Sequence, residues 1–101
     1  MNRTPIDVPH QALTDTCRRW RIVEMSLFGS ILRDDFRPDS DVDVLVVFEP
    51  HVLWSLLDLV DLQVELTALF GRPVDIVEKS AIRNPFRRQS ILTHRKVVYA
   101  A

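Results

Sequence analysis

The chain has 101 residues, of which 47% are hydrophobic and 27% are charged, and its formal net charge is −1 at pH 7. This length can bury one hydrophobic core, so we expect a single domain that spans residues 1–101. The small net charge argues against a protein that coats nucleic acid by bulk charge, and no direct nucleic-acid partner is expected.

The charged residues are unevenly distributed along the chain. All 14 acidic residues precede Lys79, whereas six of the 13 basic residues lie at or after it. The single cysteine, Cys17, excludes an internal disulfide framework. No secretory leader and no apolar run of about 18 residues is present, so we expect a cytoplasmic protein with no membrane partner.

The first half of the chain alternates helical and strand patterns. Apolar spacing predicts a helix from about Pro9 to Trp20. The β-branched and apolar segment Ile22–Phe28 predicts a strand that runs into a tight turn at Gly29. Ser30 is placed to cap a short helix over residues 31–36, and Pro38 indicates a loop after it.

The segment from Asp41 to Phe48 is predicted to be a strand. Alternation places Val42, Val44, Val46 and Phe48 on one face and Asp41, Asp43, Leu45 and Val47 on the other. Both faces are apolar beyond the first three residues, so we expect this strand to be central in its sheet with both faces covered.

The second half continues with a long helix, a short strand and a shorter helix. The long helix is predicted over residues 51–70 and ends at Gly71. Its apolar arc is wider than a surface helix needs, which indicates a second buried contact or a partner protein. A strand over residues 72–78, a helix capped by Asn84 and a final extended segment complete an α/β (α+β) domain with a small mixed sheet.

Three aspartates stand in the predicted strands, where a lone charge would be costly to bury. Asp41 and Asp43 share a face and lie roughly 6.5 Å apart along their strand. Asp75 is the charged residue inside the next strand, and it would join them if the two strands are neighbours. Such a cluster needs a cation, and oxygen ligands without Cys or His favour Mg²⁺ over zinc.

The pair Gly29-Ser30 provides a candidate phosphate site. A glycine at a strand-to-helix turn lets the backbone approach a ligand, and a helix N-terminus favours an anion. A phosphate site beside a divalent-metal site is suited to phosphoryl or nucleotidyl transfer. The chain lacks the G-x-x-x-x-G-K-[ST] pattern of a P-loop.

The combination of Gly-Ser, ten further residues and D-x-D on an apolar strand resembles the signature of the DNA polymerase β-like nucleotidyltransferase superfamily. The phrases "LFGS", "RPDSDVDVLV" and "GRPVDIV" are similar to those of its minimal nucleotidyltransferase (MNT-domain) branch. The resemblance covers roughly Leu13 to Tyr99 and implies the nucleotidyltransferase fold for this single domain.

The resemblance also implies roles for the candidate residues. Gly29 and Ser30 would hold the triphosphate of the incoming nucleotide, ATP. Asp41 and Asp43 would bind Mg²⁺, with Mn²⁺ as an alternative. Asp75 matches the third carboxylate, which can bind metal and help to deprotonate the acceptor hydroxyl.

Several basic residues are candidates for contact with the nucleotide. Arg33 matches a basic position of the family, but Asp34 follows it where many relatives have glycine, so Asp34 must point away or turnover is weakened. Arg87, Arg88 and Arg95 could contact nucleotide phosphates or an acidic partner, or form an ordinary solvated face.

The resemblance implies a Mg²⁺-dependent enzyme that transfers AMP from ATP to an acceptor hydroxyl. Many MNT-domain proteins are paired with a HEPN-domain ribonuclease toxin, so this chain would be the antitoxin and would modify a tyrosine of that toxin in a hetero-oligomer. Two alternatives remain: an antitoxin that neutralises the toxin by binding alone, and a subunit that modifies a small molecule such as an aminoglycoside.

Overall fold

The computed structural model describes residues 9–29 and 41–101, which form three helices and four strands. The elements are α1 (His10–Arg19), β1 (Ile22–Phe28), β2 (Val42–Phe48), α2 (Leu56–Phe70), β3 (Val74–Glu78), α3 (Pro85–Thr93) and β4 (Lys96–Ala100). A single 3₁₀ turn, Lys79–Ala81, connects β3 to α3. The predicted order of elements is confirmed, while the short helix predicted after Ser30 lies outside the described residues.

The four strands form one mixed sheet in the order β3-β2-β1-β4. β1 pairs antiparallel with both β2 and β4, whereas β3 pairs parallel with β2. The mixed α/β architecture and the central position of β2 are therefore confirmed. Among the described strands, none pairs with the other edge of β3, which we call its free edge.

α2 is shorter than predicted, because it begins at Leu56 and not at His51. The Ser55 side chain accepts a hydrogen bond from the Asp58 N–H, and the Asp58 carboxylate accepts one from the Ser55 N–H. This capping box fixes the helix start. His51 has a positive φ of 68°, which is incompatible with a helix. Gly71, with φ 71°, ends α2 as predicted.

One face of the sheet is covered by α1 and α2. Its core contains Leu13 and Cys17 of α1, Met25 and Leu27 of β1, Val42, Val44 and Val46 of β2, and Leu62, Leu66 and Phe70 of α2. Apolar burial on this scale is the dominant source of stability for a domain of this size. We refer to this surface as the closed face.

The opposite face of the sheet carries a smaller core of Phe28, Leu45, Ile82 and Ile91, with α3 packed over it. The alternation along β2 sends Val42, Val44 and Val46 to the closed face and sends Asp43 and Leu45 to this one. We refer to this surface as the carboxylate face, because Asp43 lies on it.

Part of α2 is not covered by the other described residues. Leu56, Leu57, Val60 and Val64 of α2 are exposed, and so is Leu53 just before it. The wide apolar arc predicted for this segment is therefore left largely uncovered by residues 9–29 and 41–101. Among the described residues, no helix is long and apolar enough to cross a membrane.

Candidate active site

The parallel pairing of β2 and β3 brings two of the predicted aspartates together. Asp43 is the register partner of Asp75, and both side chains lie on the carboxylate face. Asp41 is the residue immediately before β2 and lies on the same side of the sheet as Asp43. Asp43 is half-buried, whereas Asp41 and Asp75 are exposed. All three predicted carboxylates are therefore close to the same end of the two strands.

The electrostatics of Asp43 reflect this crowding. Burial raises the pKa of the Asp43 carboxyl above its ordinary value, and the negative charges of Asp75 and then Asp41 raise it further. The positive charge of Arg87 acts in the opposite direction. Like charges that raise one another's pKa are typical of sites that bind a cation or perform acid–base chemistry.

Gly29 contacts this site from the end of β1. Phe28 is the register partner of Asp43, so the turn after β1 passes directly beside the Asp43 carboxylate. A Cβ atom at Gly29 would lie 3.2 Å from the Asp43 Cγ and would overlap its Oδ2. The φ of Gly29 is 76°, in the left-handed region that favours glycine. Both the backbone angle and the close approach therefore require glycine here.

Arg87 is the member of the basic C-terminal group that faces the carboxylates. It lies in the first turn of α3, which begins at Pro85 after the predicted cap, Asn84. The Asn84 side chain accepts hydrogen bonds from the N–H groups of Phe86 and Arg87, at 2.9 and 3.1 Å. The cap thus fixes the helix end that carries this guanidinium next to Asp43.

Arg95 has a different role from the one considered for it. Its guanidinium forms an ion pair with Glu24 of β1. An arginine that already pairs with a carboxylate in the sheet is a structural residue, so the phosphate-contact interpretation of Arg95 is not supported.

The donor set fits a magnesium ion that is shared with a nucleotide. Among residues 9–29 and 41–101, no group of three or more His, Cys, Asp or Glu side chains is arranged as a complete metal site. Mg²⁺ is commonly bound by only one or two carboxylates, with substrate phosphates and water as the remaining ligands. The carboxylates of Asp41 and Asp43 satisfy that requirement, and Gly29 leaves space beside them.

Three predicted site residues lie outside the described part of the chain. They are Ser30, Arg33 and Asp34. Their proposed contacts with the triphosphate, and the question raised by Asp34, therefore rest on the sequence alone.

The sequence did not predict a groove that opens beside Asp75. It has a volume of about 440 Å³ and lies along the free edge of β3, between α2 on one side and the 3₁₀ turn and α3 on the other. Leu56 and Val60 form its apolar wall, while Asp75 and Arg87 line its polar end. A sequence signal for this edge is the pair Gln63 and Thr67, one helical turn apart, both of which hydrogen-bond to β3.

Comparisons with known proteins show which family and which solved folds this chain is similar to. Residues 10–98 match the family described as the nucleotidyltransferase domain. The protein adenylyltransferase MntA of Thermococcus cleftensis is 40% identical over 81 residues, which cover 80% of this chain and 77% of that protein. A solved structure described as a candidate minimal nucleotidyltransferase is 36% identical, covers 85% of each chain and has a TM-score of 0.68.

A more distant solved structure shows the fold alone. It is a complex of a tri-AMPylated HEPN toxin of Shewanella oneidensis with an MNT antitoxin. A chain in it is 17% identical, with a TM-score of 0.63, and the match covers 91% of this chain and 70% of that chain.

Proposed function

The chain belongs to the nucleotidyltransferase domain family, and from this premise we propose that it transfers AMP from ATP to a hydroxyl group of a partner protein. The observation that carries the proposal is the register pairing of Asp43 with Asp75, next to the glycine turn at Gly29. This arrangement supports the proposal of a metal site, a phosphate approach and a base at one end of the sheet.

Asp41 and Asp43 would hold Mg²⁺ together with the phosphates of ATP, and Ser30 and Arg33 would contact the triphosphate. Bound Mg²⁺ would supply charge neutralisation on the phosphate oxygens during the displacement. The bare backbone of Gly29 lets the nucleotide approach Asp43 without a side chain in between. The positive charge of Arg87 offers a further partner for phosphate oxygens on the same face.

Asp75 is the candidate general base, because it is exposed and lines the groove from which an acceptor could enter. Its carboxylate would take the proton of the acceptor hydroxyl. The acceptor oxygen would then form a bond to the α-phosphorus of ATP as the bond from that phosphorus to the bridging oxygen breaks. Pyrophosphate leaves, the acceptor carries AMP, and Asp75 returns the proton to water.

A HEPN-domain ribonuclease toxin is the partner that we propose, with a tyrosine as the acceptor. The relative from Thermococcus cleftensis is named a protein adenylyltransferase. The Shewanella oneidensis complex is described as a HEPN toxin carrying AMP with its MNT antitoxin. By this proposal, the chain acts in the cytoplasm, where ATP is available, as an antitoxin that blocks RNA cleavage by modifying the toxin.

A second candidate function is neutralisation of the toxin by binding alone. The exposed apolar side chains of Leu53, Leu56 and Val60, just before and in the first part of α2, favour it, because desolvated apolar anchors dominate stable interfaces. The two functions differ in stoichiometry: an enzyme turns over, whereas a binder must match its target in amount.

The test titrates the chain against purified HEPN ribonuclease with and without ATP and Mg²⁺, and follows RNA cleavage together with the intact mass of the ribonuclease. An enzyme silences a roughly tenfold molar excess of toxin only with ATP and adds one or more adenylyl masses to it. Silencing at equal amounts, without ATP and without a mass change, would establish the binder.

A further inference from the structure

We propose that the free edge of β3 is the docking site for the acceptor, and that the acceptor binds there as an extended polypeptide strand. The groove along this edge leads to Asp75, so a segment bound in it would reach the carboxylate face. This inference rests on the proposed function in one respect only, which is that a hydroxyl group of the bound segment receives the AMP. The docking mode itself follows from the backbone and the groove walls.

The hydrogen-bond pattern of β3 identifies its open groups. Val42 donates its N–H to the Pro73 carbonyl at 2.8 Å. In a parallel ladder this contact directs the backbone groups of residues 73, 75 and 77 toward β2, and those of residues 74, 76 and 78 away from it. The outward-facing groups are therefore those of Val74, Ile76 and Glu78.

Val74 is already satisfied by side chains of α2. Gln63 Nε2 donates to the Val74 carbonyl at 2.8 Å, and the Val74 N–H donates to Thr67 Oγ1 at 3.3 Å. Within residues 9–29 and 41–101, no such side chain satisfies Ile76. An edge strand with open N–H and C=O groups is a template for a further strand. Pairing is thus blocked at Val74 and available at Ile76 and at the Glu78 N–H.

The walls of the groove indicate the chemistry of its occupant. Leu56 and Val60 form an apolar side, while Asp75 and Glu78 place two negative charges along the strand and Arg87 adds one positive charge at the polar end. Mainly apolar walls with a net negative charge disfavour the phosphate backbone of a nucleic acid and suit a polypeptide with apolar side chains. A volume of about 440 Å³ accommodates a large side chain with the adjoining backbone.

Strand pairing would also orient the acceptor. Neighbouring strands lie about 4.8 Å apart, and side chains of paired residues extend on the same face of the sheet. A residue paired alongside Asp75 would therefore direct its side chain to the carboxylate face, where the Asp75 carboxylate lies. An added strand thus supplies both affinity, through backbone hydrogen bonds, and the direction of the hydroxyl.

The first arm of the test measures docking without transfer. The probe is the heptapeptide Val-Thr-Val-Tyr-Val-Thr-Val, compared with the same peptide N-methylated on alternate amides, which removes the donors needed for pairing. We expect the unmodified peptide to shift the Ile76 and Glu78 amide resonances of the full chain and to slow their hydrogen exchange. Equal effects of the two peptides, or no effect at these amides, would overturn the docking mode.

The second arm measures transfer to the HEPN partner with two matched variants of α2. Val60 lines the groove, whereas Val64 is exposed on the same helix one turn away and does not line it. We expect Val60→Asp to raise the KM for the partner by about tenfold or more, as for loss of a central interface contact, with the KM for ATP unchanged. Val64→Asp should change neither value by more than about twofold.

The two arms separate this inference from the proposed function. If the wild-type chain transfers AMP and both variants show the same increase in KM for the partner, the proposed function is retained and the groove is rejected as the docking site. Docking of the unmodified peptide at Ile76, without any transfer to the HEPN partner, would retain the groove and reject the partner or the reaction.

Discussion

The closed face and the carboxylate face of the sheet are built from the same strands, but their side chains differ in burial and charge. The closed face buries Val42, Val44 and Val46 under two helices. The carboxylate face has a small core around Leu45 and, beside it, three aspartates. Burial and then the negative charges of Asp75 and Asp41 raise the pKa of Asp43. Alternation along one strand thus separates residues that stabilise the fold from residues that are available for chemistry.

This separation has an energetic consequence. Ionised carboxylates close together and partly removed from water destabilise the native state unless a cation is bound. The closed face must compensate for that cost through apolar burial. Substitutions on the two faces should therefore have different effects. Those of the aspartates on the carboxylate face should reduce activity and retain stability, whereas those on the closed face should reduce stability.

The largest expected effect is on catalysis, from Asp41→Asn combined with Asp43→Asn. Transfer to the partner should fall by about 10³-fold or more, because several kcal/mol of charge stabilisation by a metal are lost. The free energy of unfolding in metal-free buffer should stay the same or rise, since fewer like charges are brought together. Asp61→Asn, at an exposed position of α2, is the control and should change neither quantity.

The next effect is on stability, from Leu66→Ala on the closed face. Leu66 is fully buried, so the substitution should lower the free energy of unfolding by about 2–5 kcal/mol. Leu57→Ala, at an exposed position of the same helix, should cost less than about 0.5 kcal/mol beyond helix propensity. Denaturant unfolding of both variants measures the difference, and equal losses would contradict the assigned core.

A smaller effect is expected from Gly29→Ala, with Gly71→Ala as its control. Both glycines have a positive φ, so each alanine should cost about 1–2 kcal/mol of backbone strain. The new Cβ would meet the Asp43 carboxylate at Gly29 and nothing within 4 Å at Gly71. Transfer should therefore be lost in the first variant and retained in the second. Similar transfer rates in both would show that the glycine turn does not approach the reacting groups.

The smallest effect concerns Cys17 on the closed face. Burial raises the pKa of its thiol from 9.0 to about 12. Because the native pKa is above the unfolded value, the thiol's contribution to stability is complete below pH 9 and is lost as the pH rises from 9 to 12. Cys17→Ala should remove this slope. At pH 8, iodoacetamide should label Cys17 only in denaturant, and rapid labelling of the native chain would show that the closed face opens.

The sequence predicted the two faces well but not the pairing of the strands. Alternation from Val42 onward identified which side chains share a face, because this period is a local property of a strand. The parallel pairing that aligns Asp75 with Asp43 depends on contacts between distant segments, so the sequence left it conditional. The Ser55 capping box was present in the sequence as S-x-x-D, but the prediction began the helix directly after Pro50.

The groove at β3 was not predicted for a similar reason. Its open groups depend on which edge of β3 is free and on the contacts of Gln63 and Thr67 with Val74. Helical spacing places those two side chains together, but it does not identify the strand that they contact.

Crystallographic anomalous scattering from Mn²⁺ bound with a non-hydrolysable ATP analogue tests the assigned active site most directly. We predict a manganese peak within direct ligand distance of the Asp41 and Asp43 carboxylates, about 2.0–2.2 Å for a small divalent ion, on the carboxylate face of β2. A nucleotide bound with its metal on any other part of the chain, or bound without metal density at these aspartates, would contradict the assignment of the active site.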